Sequence, residues 1–210
     1  MTAIDSKRFY QQAIALAAAG EALYQRGWVP ATSGNFSMRL SDSSATLTAS
    51  GKHKGRLALT DFIAVDLAGK PLSEGNPSAE TLLHTQLYAR FADIGAVLHC
   101  HSPKATVLSR LLTGKAEVVL EDYELQKAFA GVTTHEGQLV IPIFENTQDI
   151  AALATEVDGY LANQPSCPGY LIRGHGIYCW ADTLDNCMHR LEALDFLLTC
   201  ELETLRHRPR

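Results

Sequence analysis

Helix-length and strand-length apolar runs alternate along this chain from end to end, and that alternation restricts it to a sheet covered by helices. Residues 6–26 carry Phe9, Ala13, Leu16 and Leu23 at helical spacing and stop at Gly27, a residue suited to a C-cap. Three strand-length pieces follow between turn residues, at 36–40, 45–49 and 62–67. A second helix is predicted from Ser78, with Leu82, Leu83 and Leu87 on its buried side. Next come a buried strand over 95–101, a helix over 104–112 and a strand over 116–120. Residues 122–129 read as helical, 139–144 as extended, and 147–163 as a third long helix. Strands over 169–173 and 177–181 pair around Gly174-His175-Gly176, and a helix over 184–206, capped by Thr183, closes the chain. The hairpin-like strands near the start predict a mixed sheet.

No repeat, low-complexity tract or Pro/Gly/Ser linker divides the chain, so residues 1–210 read as a single domain, long enough to bury a substantial core. A formal charge of −5 argues against a general nucleic-acid binder but leaves room for a small anionic ligand in a locally positive pocket. The first residues lack the basic-then-apolar layout of a secretory leader, and the apolar run over 13–19 is too short to cross a bilayer. Cys100, Cys167, Cys179, Cys187 and Cys200 are scattered and form no C-x-x-C pair. Reduced thiols in a cytoplasmic protein, with neither membrane nor nucleic acid as partner, are the expectation.

The sharpest local signal is Val97-Leu98-His99-Cys100-His101-Ser102. On a strand His99 and His101 point to one face and Cys100 to the other. Two imidazoles so placed can chelate one divalent metal, or can simply be hydrogen-bonded at a strand end. His175, flanked by glycines in Arg173-Gly174-His175-Gly176, is the most coherent third ligand. His84 falls on a helix and His207 in the tail, and His135 and His189 lack a partner motif.

Glu80, in Pro77-Ser78-Ala79-Glu80, and Glu124, in Asp122-Tyr123-Glu124-Leu125, both fall at predicted helix starts, where a carboxylate can be no more than a dipole partner. The turns Thr32-Ser33-Gly34-Asn35 and Ser50-Gly51-Lys52 free backbone N–H groups to converge on an anion. Ser78 would add the positive end of a helix dipole, and Lys52, His53 and Lys54 add local positive charge. Neither a P-loop nor a dinucleotide fingerprint is present.

Taken in order, S-G-N, S-G-K, P-S-A-E, H-C-H and R-G-H-G resemble the class II aldolase and adducin family over nearly the whole chain. The resemblance implies one three-layer α/β/α domain with a central mixed, mainly antiparallel sheet. It implies a zinc ion, one per subunit, on His99, His101 and His175. It also implies a phosphate site made by Gly34, Asn35, Ser50, Gly51 and Ser78, with Glu80 beside the metal. Within the family, Val140-Ile141-Pro142-Ile143-Phe144-Glu145-Asn146-Thr147 and Arg173-Gly174-His175-Gly176-Ile177-Tyr178-Cys179-Trp180 resemble its dehydratase branch most closely. That branch implies a lyase acting on a small phosphorylated ketose, with Glu124 as general acid/base, in a homotetramer. Some members of the branch have cysteine where Glu80 stands. The aldolases and the epimerase use a tyrosine near the C-terminus, whereas the last tyrosine here is Tyr178. Adducin-type members lack the complete histidine trio.

Overall fold

The computed structural model describes residues 4–207; Met1–Ala3, read above for a leader, and Arg208–Arg210 lie outside the described residues. The first helix, α1 (Ser6–Gln25), starts where the Asp5 side chain accepts from the Arg8 N–H at 3.0 Å, and it ends before Gly27 at φ +74°. Three strands, β1 (Asn35–Ser41), β2 (Ser44–Thr48) and β3 (Phe62–Asp66), form an antiparallel meander. They are followed by α2 (Thr81–Arg90), β4 (Ala96–Cys100), α3 (Pro103–Leu111) and β5 (Glu117–Glu121). The chain finishes with β6 (Gln138–Phe144), α4 (Ile150–Asn163), β7 (Gly169–Ile172), β8 (Gly176–Ala181) and α5 (Leu184–His207).

All eight strands join one sheet in the order β3-β2-β1-β4-β8-β7-β6-β5, and each neighbouring pair is antiparallel except β6 with β7. Strand alternation sends side chains into two cores. Ala96, Leu98 and Cys100 of β4, with Ile177, Cys179 and Ala181 of β8, pack toward the side of α1, α3 and α5. Val97 of β4, with Tyr178 and Trp180 of β8, packs toward α2 and α4, where Leu83, Leu87, Leu153 and Val157 close the opposite layer. The result is a three-layer α/β/α arrangement with a mainly antiparallel mixed sheet, as the family resemblance implied.

The central register positions the chemistry. Strand β4 lies between β1 and β8, with His99 opposite Asn35 on one side and Tyr178 on the other. Tyr178 in turn pairs with Tyr170 of β7.

Three expectations shift. Helix α2 begins at Thr81 instead of Ser78, because Pro77 bridges to Ala49 and Ser78 to Glu80 turn before the helix, with the Thr81 N–H donating to the Ser78 carbonyl at 3.1 Å. Ser78 is therefore not a helix N-terminus, and Glu80 takes the N-cap position. Helix α4 starts at Ile150, where Asp149 caps the Ala152 N–H at 3.0 Å. The segment over 122–129 is only a short 3₁₀ turn, Glu124–Ala128, preceded by Asp122 at φ +60°. Thr183 does cap α5, accepting from the Asn186 N–H at 3.1 Å. The five cysteines are all unpaired, and no helix among the described residues is long and apolar enough to cross a membrane.

Candidate functional site

His99 stands near the end of β4 and His101 just beyond it, on one face, while His175 reaches over from the loop between β7 and β8. The loop can approach because Gly176 is a glycine: a Cβ there would lie 2.0 Å from the Cys100 carbonyl oxygen. Gly174 takes φ +66°, and Thr106 on α3 donates to the His175 carbonyl at 3.0 Å. Arg173 anchors the base of the loop on the Leu112 and Lys115 carbonyls at 3.1 and 2.8 Å.

The three Nε2 atoms converge, His99 being 3.0 Å from His101 and 3.3 Å from His175. His99 Nδ1–H donates to the Ile177 carbonyl at 2.9 Å, which leaves the Nε2 lone pair aimed into the cluster. Three imidazole nitrogens on a tetrahedral ion at about 2.0–2.1 Å would stand about 3.3 Å apart. The donor set thus fits a divalent metal ion. Burial holds the His99 imidazole well below its usual range and brings His101 down to about 4, so both rings are neutral at ordinary pH, the form that can donate to a metal ion.

Glu80 faces the same cluster. Its Oε1 is 3.1 Å from His175 Nε2 and its Oε2 is 3.4 Å from His99 Nε2. Oε2 also accepts from Asn35 Nδ2 at 2.8 Å and from the Tyr178 hydroxyl at 2.6 Å. Burial works against its charge, but the neighbouring His99 and His175 rings and the hydrogen bonds donated by Asn35 and the Tyr178 hydroxyl outweigh that and hold the carboxyl below the usual carboxylate range. Tyr178 stacks on His99 with ring centroids 4.1 Å apart and planes within 14°.

A cavity of about 300 Å³ opens beside the cluster, walled by both Ser-Gly turns, Ser78, Glu80, His101 and His175. Gly34 and Gly51 both adopt positive φ, +74° and +71°, and a Cβ on Gly34 would meet the His99 carbonyl at 2.8 Å. The cavity wall includes Gly34, Asn35, Ser50, Gly51 and Ser78 together. The Asn35 side chain, expected at the phosphate, is instead spent on Glu80, Ser78 and His84 and is not free for a ligand. Lys54, only 2% exposed, lines the same cavity, and its ammonium donates to the Thr32 and Lys52 carbonyls at 3.0 and 2.7 Å. It ties the two turns together with no carboxylate partner among the described residues, and burial lowers its pKa to about 8. A larger groove between α2 and α4, about 640 Å³, gathers no such set of ligating groups.

Glu124 is not brought to this site within one chain. It sits on the 3₁₀ turn with its side chain 71% exposed, paired with Lys127 and lying 3.8 Å from His135. Tyr178 and His84 are the functional candidates that the pattern reading passed over. Strand alternation puts Tyr178 on the face of β8 opposite Ile177, and helical spacing puts His84 four residues after Glu80, so both periods carried the signal.

A model of the class II aldolase and adducin N-terminal domain matches residues 14–202. The methylthioribulose-1-phosphate dehydratase of Pseudomonas aeruginosa is 61% identical over 188 residues, covering 89% of this chain and 91% of that protein. The protein of the same name from Marinobacter nauticus is 52% identical over 205 residues, 97% of this chain and 99% of its own. Among solved structures, the L-fuculose-1-phosphate aldolase of Thermus thermophilus superposes with a TM-score of 0.74 at 24% identity, covering 95% of this chain and 100% of that one. That last likeness concerns the fold.

Proposed function

Because this chain belongs to the class II aldolase and adducin family, we propose that it is a zinc-dependent dehydratase of methionine salvage. In this reading it converts 5-methylthioribulose 1-phosphate to 2,3-diketo-5-methylthiopentyl 1-phosphate and water. The observation that carries the reading is the convergence of three imidazoles and an ionised glutamate at the edge of one cavity that both Ser-Gly turns wall. Relatives bearing the dehydratase name at 52% and 61% identity over most of both chains supply the substrate. The chain acts as one domain over residues 1–210, in the cytoplasm, as a homotetramer.

His99, His101 and His175 hold the zinc, which when bound supplies Lewis acidity to a ketose carbonyl and its neighbouring hydroxyl. Backbone N–H groups at Gly34 and Gly51, with the Ser50 and Ser78 hydroxyls, take the substrate phosphate, and the Lys54 charge favours its dianion. Asn35 serves by fixing Glu80. Glu80 keeps its negative charge at the cluster, where it orients the bound hydroxyls.

Dehydration also needs a group that takes the proton from C3 and returns one to the departing C4 hydroxyl. Glu80, tied on Oε2 by two donors and held ionised, is poorly suited to carrying protons. Glu124 retains that role when a neighbouring copy presents it, since its exposed side chain is held only by the surface partners Lys127 and His135 and can reach another subunit's cavity. Purified zinc-loaded protein should consume methylthioribulose 1-phosphate, lose that activity to a chelator and regain it with zinc; a zinc-loaded protein inert toward this substrate would refute the proposal. Mixing the inactive His99→Ala and Glu124→Gln proteins should restore part of the activity, and no recovery after subunit exchange would remove the shared-site role.

A further inference from the structure

Behind Glu80 runs a file of buried hydrogen bonds whose protons can all be placed. Asn35 Nδ2 donates to Glu80 Oε2 at 2.8 Å, which fixes the amide and turns its Oδ1 toward His84 Nε2, to which it is hydrogen-bonded. A carbonyl oxygen only accepts, so His84 carries its proton on Nε2 and a lone pair on Nδ1. Ser37 Oγ, 2.8 Å from Nδ1, therefore donates to it, and the Tyr88 hydroxyl donates to Ser37 Oγ at 2.8 Å. Ser37 and His84 are fully buried and Tyr88 is 2% exposed. Burial lowers the His84 pKa to about 4, so the ring is a neutral relay of fixed tautomer. His84 is not part of the cavity wall and touches none of the three clustered histidines through a hydrogen bond; its hydrogen-bonded route to the cluster runs through Asn35 to Glu80, and its ring also meets Tyr178, the other donor to Glu80, edge-on at 5.6 Å.

We infer that His84 is a positioning residue: its Nε2–H locks the Asn35 amide, and that amide holds the Glu80 carboxylate against the three-imidazole cluster. A buried apolar side chain would fill the same space, but it would leave Asn35 Oδ1 without a partner and the Ser37 hydroxyl without its acceptor, so the amide would be held only by its Nδ2 bonds to Glu80 and Ser78. With Oδ1 unanchored the amide can rotate away from its set plane, so one of the two donors on Glu80 Oε2 and the carboxylate's distance from His99 and His175 are no longer fixed. Its negative charge then supports a cation in the cluster less well. The inference rests on Glu80 being a working group of the proposed site.

The test is a double-mutant cycle read in zinc affinity, by competition with a chromophoric chelator, on the full chain. His84→Leu should weaken zinc binding by about tenfold or more, the size typical of lost outer-sphere partners. His84→Gln, whose amide can donate to Asn35 and accept from Ser37, should stay within about threefold of wild type. In a Glu80→Gln background His84→Leu should have no further effect, because the group it positions is gone. Unchanged affinity in His84→Leu, an equal loss in both backgrounds, or a Gln variant as poor as Leu would each overturn the inference. Should His84→Leu not fold, Ser37→Ala removes the donor to Nδ1 and reads the same cycle: a loss confined to the Glu80 background supports the relay, and any other result overturns it. Zinc affinity needs no substrate, so a failure of the dehydratase reading would appear separately, as wild-type protein that binds zinc and leaves methylthioribulose 1-phosphate unchanged.

Discussion

Replacing His84 by Gln should flatten the acid side of the stability curve, and the size of the effect follows from its burial. In the unfolded chain a histidine titrates near ~6.5. In the folded protein His84 is fully buried with Nδ1 and Nε2 both engaged, and its pKa falls to about 4. Between those values the unfolded state binds a proton that the folded state refuses. The stability this residue contributes is therefore whole above the unfolded pKa and is lost as pH falls toward the folded one. The loss is about 1.4 kcal/mol per pH unit, so roughly 2–3 kcal/mol between pH 6.5 and 4.5. That is a large share of the ~5–15 kcal/mol of a typical domain. Urea unfolding at matched protein concentration, in chelator, at three pH values across this window would measure it. Chelation removes proton–metal competition at His99, His101 and His175. Glu80 stays out of the window, because its depressed pKa makes its contribution fail only below about 4.5. Wild type should lose roughly 2–3 kcal/mol more than His84→Gln across the window. Equal slopes would refute the claim that His84 is held neutral by burial.

Other consequences follow from the same contacts. Tyr178→Phe keeps the ring stack on His99 but removes the 2.6 Å hydrogen bond to Glu80. A bond to a charged group is worth about 1.5–3 kcal/mol, so kcat measured at saturating zinc should fall about 10- to 100-fold, and wild-type kcat would show that the Tyr178 hydroxyl does not support Glu80. Lys54→Met removes the ammonium that joins the two turns, so KM for a phosphorylated substrate should rise about tenfold or more while zinc stays bound; an unaltered KM would detach Lys54 from the phosphate. Gly176→Ala would place a Cβ 2.0 Å from the Cys100 carbonyl, forcing β4 and β8 apart at the cluster. The expected cost is about 1–3 kcal/mol or more, read as a lower Tm of the chelated protein, and an unchanged Tm would show that the strand contact can relax freely.

Much of the site was legible because it depends on short periods. Alternation along a strand placed His99 and His101 together and Cys100 behind them, and flanking glycines marked His175 as the residue of a sharp turn. The Ser-Gly turns announced themselves by composition. What was not legible depends on neighbours far away in sequence. His84 looks like any helical histidine until β1 is known to carry Ser37 and Asn35 beneath it, 47 and 49 positions earlier. Lys54 contributes to local charge in the sequence, but only the fold turns its ammonium inward onto two carbonyls. Helix α2 starts late because the Ala49–Pro77 bridge tethers the chain ahead of it, a long-range contact that outweighs the local capping signal of Ser78. Glu124 shows a different limit. Its place along the chain was clear, but its distance from the cavity within one copy depends on how the 3₁₀ turn packs, and any approach to a second cavity depends on assembly.

The most direct test is the mass spectrum of methylthioribulose 1-phosphate after incubation with the purified, zinc-loaded protein, beside a chelated control. The account predicts a single product lighter than the substrate by one water, still carrying both phosphate and thioether, and absent from the control. Two smaller carbonyl fragments would mean C–C cleavage by the same kind of site, and an unchanged spectrum with zinc bound would mean a different substrate; either would contradict the dehydratase assignment.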